Sequence, residues 1–302
     1  MVSNAIVMSI LIPDYFFFVI DNFYEESAPD DETYIYSYPK IDVRQASLFI
    51  GQIKFMIDHI STFIEKGIKV LTTSKKKIIV NINNNIVIAL CGKILDEKDI
   101  LENKLNEIIN TYYFYYEDIY ETKIKFAHER KSFLNLIDKR FTYLLRMFEE
   151  LLLFNININT HLSLLPGCRH FIQASRILFN LHRRHFIKGC IFYKEEILCT
   201  YLEYEQAKKI LMKYLSIKNE NKFMELSNLY SHISIKDNTI IYIPVFINKD
   251  KYSLCLLFNM TICISFVTDY EKFGKPDFIN YLELETKIDE LEKNIIQTLY
   301  KK

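Results

Sequence analysis

One order of hydrophobic patterns occurs twice along the chain: a hairpin, a helix, three short apolar runs and a closing helix. Such an order must bury each set of runs beneath its own helices, which points to two sheet-based layers rather than a bundle. In the first half, Tyr15 to Ile20 is a continuous apolar run ending at Asp21-Asn22, as a strand covered on both faces reads. Tyr34 to Tyr38 returns, and Pro39 closes the hairpin. From Val43 to about Phe63, Ala46, Phe49, Ile50, Ile53, Met56, Ile57 and Ile60 recur at three- and four-residue steps, so an amphipathic helix is expected, stopped by Gly67. Ile68 to Leu71, Ile78 to Ile82 and Ile86 to Leu90 then read as a meander. Its last turn, Asn83-Asn84-Asn85, uses residues that tolerate positive φ. Asp96 is placed to cap a helix through Ile109, and the spacing beyond it predicts one long helix from Thr122 to about Phe154.

Asn155 to Gly167 breaks the helical period and ends in Pro166-Gly167, so it reads as a linker between domains 1–155 and 156–302. At roughly 150 residues per domain, a chain of 302 residues fits that division. A helix is expected from Arg169 to about His182, with Phe171, Ile172, Ser175, Leu178 and Phe179 on one side. The run from His185 to Thr200 folds back through Lys194-Glu195-Glu196 as the second hairpin. A helix begins near Glu203, the polar segment Ser216 to Asp237 receives no assigned order, and Thr239–Ile247, Tyr252–Phe258 and Ile262–Val267 are strands. Tyr281 to Tyr300 closes the chain as a helix. The fold class read from these patterns is α+β: two domains, each a mostly antiparallel five-stranded sheet flanked by helices, related by duplication of the fold.

Chemistry is sparse. Lys+Arg and Asp+Glu balance at 38 each, so no global field draws the chain to nucleic acid or to anionic lipid. Six cysteines lie mostly inside apolar runs with no two-residue spacing between them, the habit of small buried hydrophobes in a reduced compartment. The apolar N-terminus lacks basic residues and a small-residue cleavage site, and no run reaches the roughly 20 apolar residues of a membrane span. No phosphate-cradling glycine motif and no nucleophile elbow occurs. His182-Arg183-Arg184-His185 could present two imidazoles to a metal, but its arginines oppose a cation and it reads as a solvated basic helix end. Lys75-Lys76-Lys77, Asp30-Asp31-Glu32 and Gly274-Lys275-Pro276 read as loops. Tyr112 to Tyr116 reads as the buried end of a helix. No cofactor, metal or catalytic residue is assigned, which leaves surfaces and sheet edges to do the work.

Several blocks carry a resemblance. Gly167 to Leu178 (GCRHFIQASRIL), Ile187 to Lys194 (IKGCIFYK) and Ile197 to Thr200 are similar to the second-domain entry of the longin-domain family that comprises the Hermansky–Pudlak syndrome type 4, Ccz-type, Inturned and Fuzzy proteins. Tyr15–Asp21 with Tyr34–Pro39, Gly51-Gln52-Ile53, Asn85–Gly92 and Ile241–Ile247 resemble further blocks of that family, in order.

The resemblance implies two longin-like domains and a partner-dependent role. The chain would be a non-enzymatic subunit of a heterodimeric guanine-nucleotide exchange factor for a Rab small GTPase in lysosome-related organelle biogenesis and vesicle trafficking. Its other subunit would be a second longin-domain protein of the Hermansky–Pudlak syndrome type 1 kind. It also implies a cytoplasmic protein, held peripherally on endosomal or lysosome-related organelle membranes through the complex alone. Members of the family usually carry a third longin domain, so a sequence ending at Lys302 is expected to be either a shortened homologue or a partial product. The expected contacts are Gln45, Gln52 and Lys54 on the polar side of the first helix, and Ile68, Val70 and Thr72 on the candidate edge strand Ile68 to Thr73. Two other readings stay open: within the resemblance, a trafficking scaffold or Ccz-type subunit acting on an endosomal Rab; from another class, a small-molecule enzyme.

Overall fold

The computed structural model describes residues 15–21, 33–40, 51, 68–153, 169–185, 188–193, 196–219, 232–235, 238–259, 261–269 and 281–300. The chain divides into two compact units, Met1–Tyr113 with Glu117–Arg146, and Phe114–Tyr116 with Met147–Lys302. The linker expected at 155–167 and nearly all of the first helix lie outside the described residues; of that helix only Gly51 is described, and it is helical.

The first unit is built on an antiparallel sheet of β1 (Phe16–Asp21), β2 (Tyr34–Tyr38), β3 (Ile68–Thr72), β4 (Lys76–Asn83) and β5 (Ile86–Lys93), in the order β2-β1-β5-β4-β3. The hairpin β1–β2 comes first, and the meander returns so that β5 pairs with β1, Phe18 opposite Ala89. Both faces are apolar, as the unbroken run of β1 requires. Phe16, Phe18, Ile20, Leu71, Ile78, Val80, Val87, Ala89 and Cys91 form a core on one face. On the other, Phe17 and Tyr36 meet Phe141. The β4–β5 turn places Asn84 and Asn85 at φ 47° and 66°, the positive values the sequence anticipates.

Three helices follow. In α1 (Lys98–Tyr115), Leu101, Leu105, Ile108 and Tyr112 are buried at three- and four-residue steps. The single long helix expected from Thr122 is instead two, α2 (Ile119–Lys125) and α3 (Arg130–Leu153). Local capping divides them. Asp118 accepts from the Tyr120 and Glu121 amides at 2.8 and 3.4 Å, so α2 starts there. The amides of Ala127 and Glu129 then reach only three residues back, to Ile124 and Phe126, and close the helix without glycine or proline. Because the apolar period runs on through the break, periodicity alone hides it.

The second unit repeats the winding. Its sheet comprises β6 (Lys188–Tyr193), β7 (Glu196–Thr200), β8 (His232–Ile235), β9 (Asn238–Ile247), β10 (Asp250–Phe258) and β11 (Ile262–Asp269), in the order β7-β6-β11-β10-β9-β8. Again the opening hairpin precedes a meander whose last strand returns to pair with the first, Ile191 opposite Ile264. The strands read from the sequence form the common part of both sheets. β8 is an additional outer strand, drawn from the polar segment left without assigned order. The two hairpins share a finer detail. In each, pairing shifts register after the fourth residue of the first strand, between Val19 and Ile20 and between Ile191 and Phe192. The two opening hairpins thus share the place at which their pairing is interrupted.

Helix α5 (Tyr204–Asn219) lays Tyr214 against Phe192 and Phe258, with ring centroids 6.3 and 5.5 Å apart. Helices α4 (Arg169–His185) and α6 (Tyr281–Tyr300) cover the opposite face, with Ala174, Ile177, Leu178 and Leu181 of α4 and Leu284, Ile288, Leu291 and Ile295 of α6 in one core with Ile191, Ile264 and Phe266. The buried face of α4 is therefore not the one expected. Leu178 is inside, but Ile172 and Phe179 point to solvent, 48% and 49% exposed. Position 174 to 181 supplies the inward line at helical spacing, and Ile172 and Phe179 fall on the line opposite it.

Candidate functional site: a regular sheet edge

An unpaired strand edge presents backbone donors and acceptors that another chain can extend, so the edges of the two sheets are the places where surface chemistry concentrates. Among the described residues there are four: β2 and β3 in the first unit, β7 and β8 in the second. They differ in regularity. The bulges in the two hairpins twist β2 and β7 out of a flat ladder, and β2 runs into Pro39, which has no amide hydrogen to give. β8 has only four residues. β3 pairs with β4 without interruption from Ile68↔Asn81 to Thr72↔Lys77.

The sequence around β3 fixes this geometry. Leu71 enters the core and anchors the strand, while Val70 is half-buried and Thr72 exposed on the alternate face. The strand is closed by a tight hairpin in which the Thr73 amide donates to the Lys76 carbonyl at 2.9 Å and the Thr73 hydroxyl accepts from the Lys76 amide at 3.0 Å. Ser74 and Lys75 at the turn are exposed. Lys77 opens β4 and its ammonium donates to the Asp96 carbonyl, holding the turn before α1 against the β3–β4 hairpin.

The structure thus brings Val70 and Thr72 to one side of a sheet edge. Ile68 starts the same strand, opposite Asn81. Gln45, Gln52 and Lys54 lie outside the described residues, as do Asp30-Asp31-Glu32 and Gly274-Lys275-Pro276. Tyr112 to Tyr116 form the end of α1 and its exit, with Tyr112, Phe114 and Tyr115 buried; burial pushes the Tyr112 and Tyr113 hydroxyls up to about 12. The imidazole of His182 stacks on Tyr201, with centroids 5.6 Å apart.

The thiols are governed by burial. It pushes Cys91, Cys190, Cys255 and Cys263 well above the ordinary value, and half-buried Cys199 in the same direction. Kept neutral, these five are poor nucleophiles and poor metal ligands. Among the described residues, no group of three or more His, Cys, Asp or Glu side chains is arranged to hold a metal ion, and no helix is long and apolar enough to cross a membrane.

The signal that sequence reasoning missed is the difference between edges. Which strand ends a sheet follows from the meander order, but bulges have no residue signature in hairpins as apolar as these. No protein-family model and no curated protein matches the sequence.

Proposed function

We propose that the chain is one subunit of a heterodimeric guanine-nucleotide exchange factor for a Rab small GTPase, acting in lysosome-related organelle biogenesis and vesicle trafficking beside a second longin-domain protein of the Hermansky–Pudlak syndrome type 1 kind. The observation that carries this reading is the twofold winding: two antiparallel sheets, each opened by a hairpin bulged after the fourth residue of its first strand and closed by a meander returning to that strand. It is the tandem architecture that the resemblance implies. Of the resembling blocks, Gly189-Cys190-Ile191-Phe192-Tyr193 lies in the first strand of the second sheet and Ile241–Ile247 in its meander.

An exchange factor needs no acid, base or metal of its own. A surface that binds the nucleotide-free GTPase more tightly than the loaded one lowers nucleotide affinity by the same factor. The β3 edge is the proposed docking ladder for the partner subunit, with Ile68, Val70 and Thr72 on it and Gln45, Gln52 and Lys54 as further contacts.

The test is co-expression with a type 1-like longin protein, followed by nucleotide release from several purified Rab proteins. Release from one Rab by the pair, and by neither subunit alone, is the expected result. A stable pair without release on any Rab makes the chain a trafficking scaffold. Failure to form a pair overturns the reading.

A further inference from the structure

Helix α4 carries a surface that the exchange reading does not use. Its sequence, RHFIQASRILFNLHRRH, holds four arginines and no carboxylate, in a chain whose charges cancel overall. Ala174, Ile177, Leu178 and Leu181 face the sheet. On the far side, Ile172, Arg176, Phe179 and Arg183 recur at steps of four, three and four residues, within an arc of about 60° at 3.6 residues per turn. All four are exposed. The line is about 16 Å long at 1.5 Å per residue. The helix cannot roll to bury it, because Gln173 is bonded to Asn294 of α6 at 2.7 Å on one flank and His182 stacks on Tyr201 on the other.

Two large apolar side chains alternating with two guanidinium groups on one convex ridge suit a flat, anionic, partly apolar surface. Phe179 and Ile172 gain by leaving water, and each arginine gains a phosphate or carboxylate to which it can bond in a fork. A basic amphipathic helix that meets lipid in this way lies in the interfacial plane. We infer that the outer ridge of α4, through Ile172, Arg176, Phe179 and Arg183, is a docking surface for a membrane bearing anionic phospholipid. The resemblance implies membrane contact only through the complex; this ridge gives the chain a contact of its own. The inference needs neither a partner subunit nor a GTPase, so it stands or falls separately from exchange activity.

The experiment is co-sedimentation of the purified full chain with vesicles of phosphatidylcholine and phosphatidylserine, against vesicles of phosphatidylcholine alone, at low and high salt. Binding to the mixed vesicles, weakened by salt, is expected. Arg176→Gln and Arg183→Gln should each lower the partition coefficient about five-fold, and the double variant about twenty-five-fold. Phe179→Ser should lower it with little change in salt dependence. These side chains are exposed, so unchanged circular dichroism and melting establish that each variant is folded. Equal binding to both vesicle types, no binding, or a double variant that binds like the parent each overturns the inference. If the double variant instead loses a co-expressed longin partner while vesicle binding is unchanged, the ridge belongs to a protein interface and the inference is likewise overturned.

Discussion

Phe141 of α3 stacks on Tyr112 of α1 with centroids 4.4 Å apart and planes 20° from parallel. The same ring reaches Phe17 of β1 at 5.2 Å and Tyr36 of β2 at 5.3 Å. One fully buried side chain therefore joins two helices to the opening hairpin of the first unit. Phe141→Ala should lower the unfolding free energy of that unit by about 3–5 kcal/mol. Urea titration followed by tyrosine fluorescence measures it.

Two turns hold non-glycine residues in left-handed backbone. Asn85 at φ 66° is suited to the position, whereas Lys249 at φ 72° is not. Lys249→Gly should stabilise the second unit by about 1 kcal/mol, and Asn85→Val should destabilise the first by a similar amount or more. Paired thermal melts of the two variants read out both signs.

Gly189 of β6 has no room for a side chain, since a Cβ there would lie 2.4 Å from the Ser265 carbonyl oxygen of β11. Gly189→Ala must push β6 and β11 apart. A loss of about 1–3 kcal/mol in the second unit is expected, with faster amide exchange along β6 and β11 as the local signature.

Burial raises the folded-state values of five described thiols above the ordinary 9.0. Above that value the unfolded chain releases protons that the folded chain keeps. The stability tied to these groups is thus fully present below 9.0 and declines as pH climbs toward the raised folded values. Each fully buried thiol adds a slope of at most about 1.4 kcal/mol per pH unit in that window. Replacing Cys91 and Cys255 with alanine should flatten the decline of the unfolding free energy, read from urea titrations between pH 8.5 and 10, by less than two such limiting slopes.

The β3 edge is testable without disturbing the core. Thr72 is exposed and lies opposite Lys77, so Thr72→Glu should leave β3–β4 pairing intact. In a ladder extended by the partner, the same carboxylate would be desolvated. Partner affinity should fall at least about ten-fold while melting is unchanged; calorimetric titration of the purified subunits decides it.

What could be read from the residues follows their physics. Unbroken apolar runs such as Phe16–Ile20 and Leu254–Phe258 announce strands, since burial on both faces admits little else, and the paired asparagines announce a left-handed turn. The division of α2 from α3 was hidden because it depends on the Asp118 cap and on short-range amide bonds, not on glycine or proline. The orientation of α4 was misjudged because the helix carries more apolar residues than one face can bury, and Ile172 and Phe179 are as oily as those that go inside. For the candidate site, the outer position of β3 followed from the order of runs, whereas its regularity relative to β2 and β7 depends on hydrogen bonds that no side chain announces.

A chain that winds one pattern twice runs the hazard of exchanging parts between its halves while it folds. The second strand position answers it: β1 has Phe17 where β6 has Gly189, and the carbonyl of Ser265 leaves no space for a phenyl ring. The opening strand of the first half would therefore collide with that carbonyl if it took the slot of its counterpart, and the close approach at Gly189 sets the two hairpins apart as pieces that do not interchange.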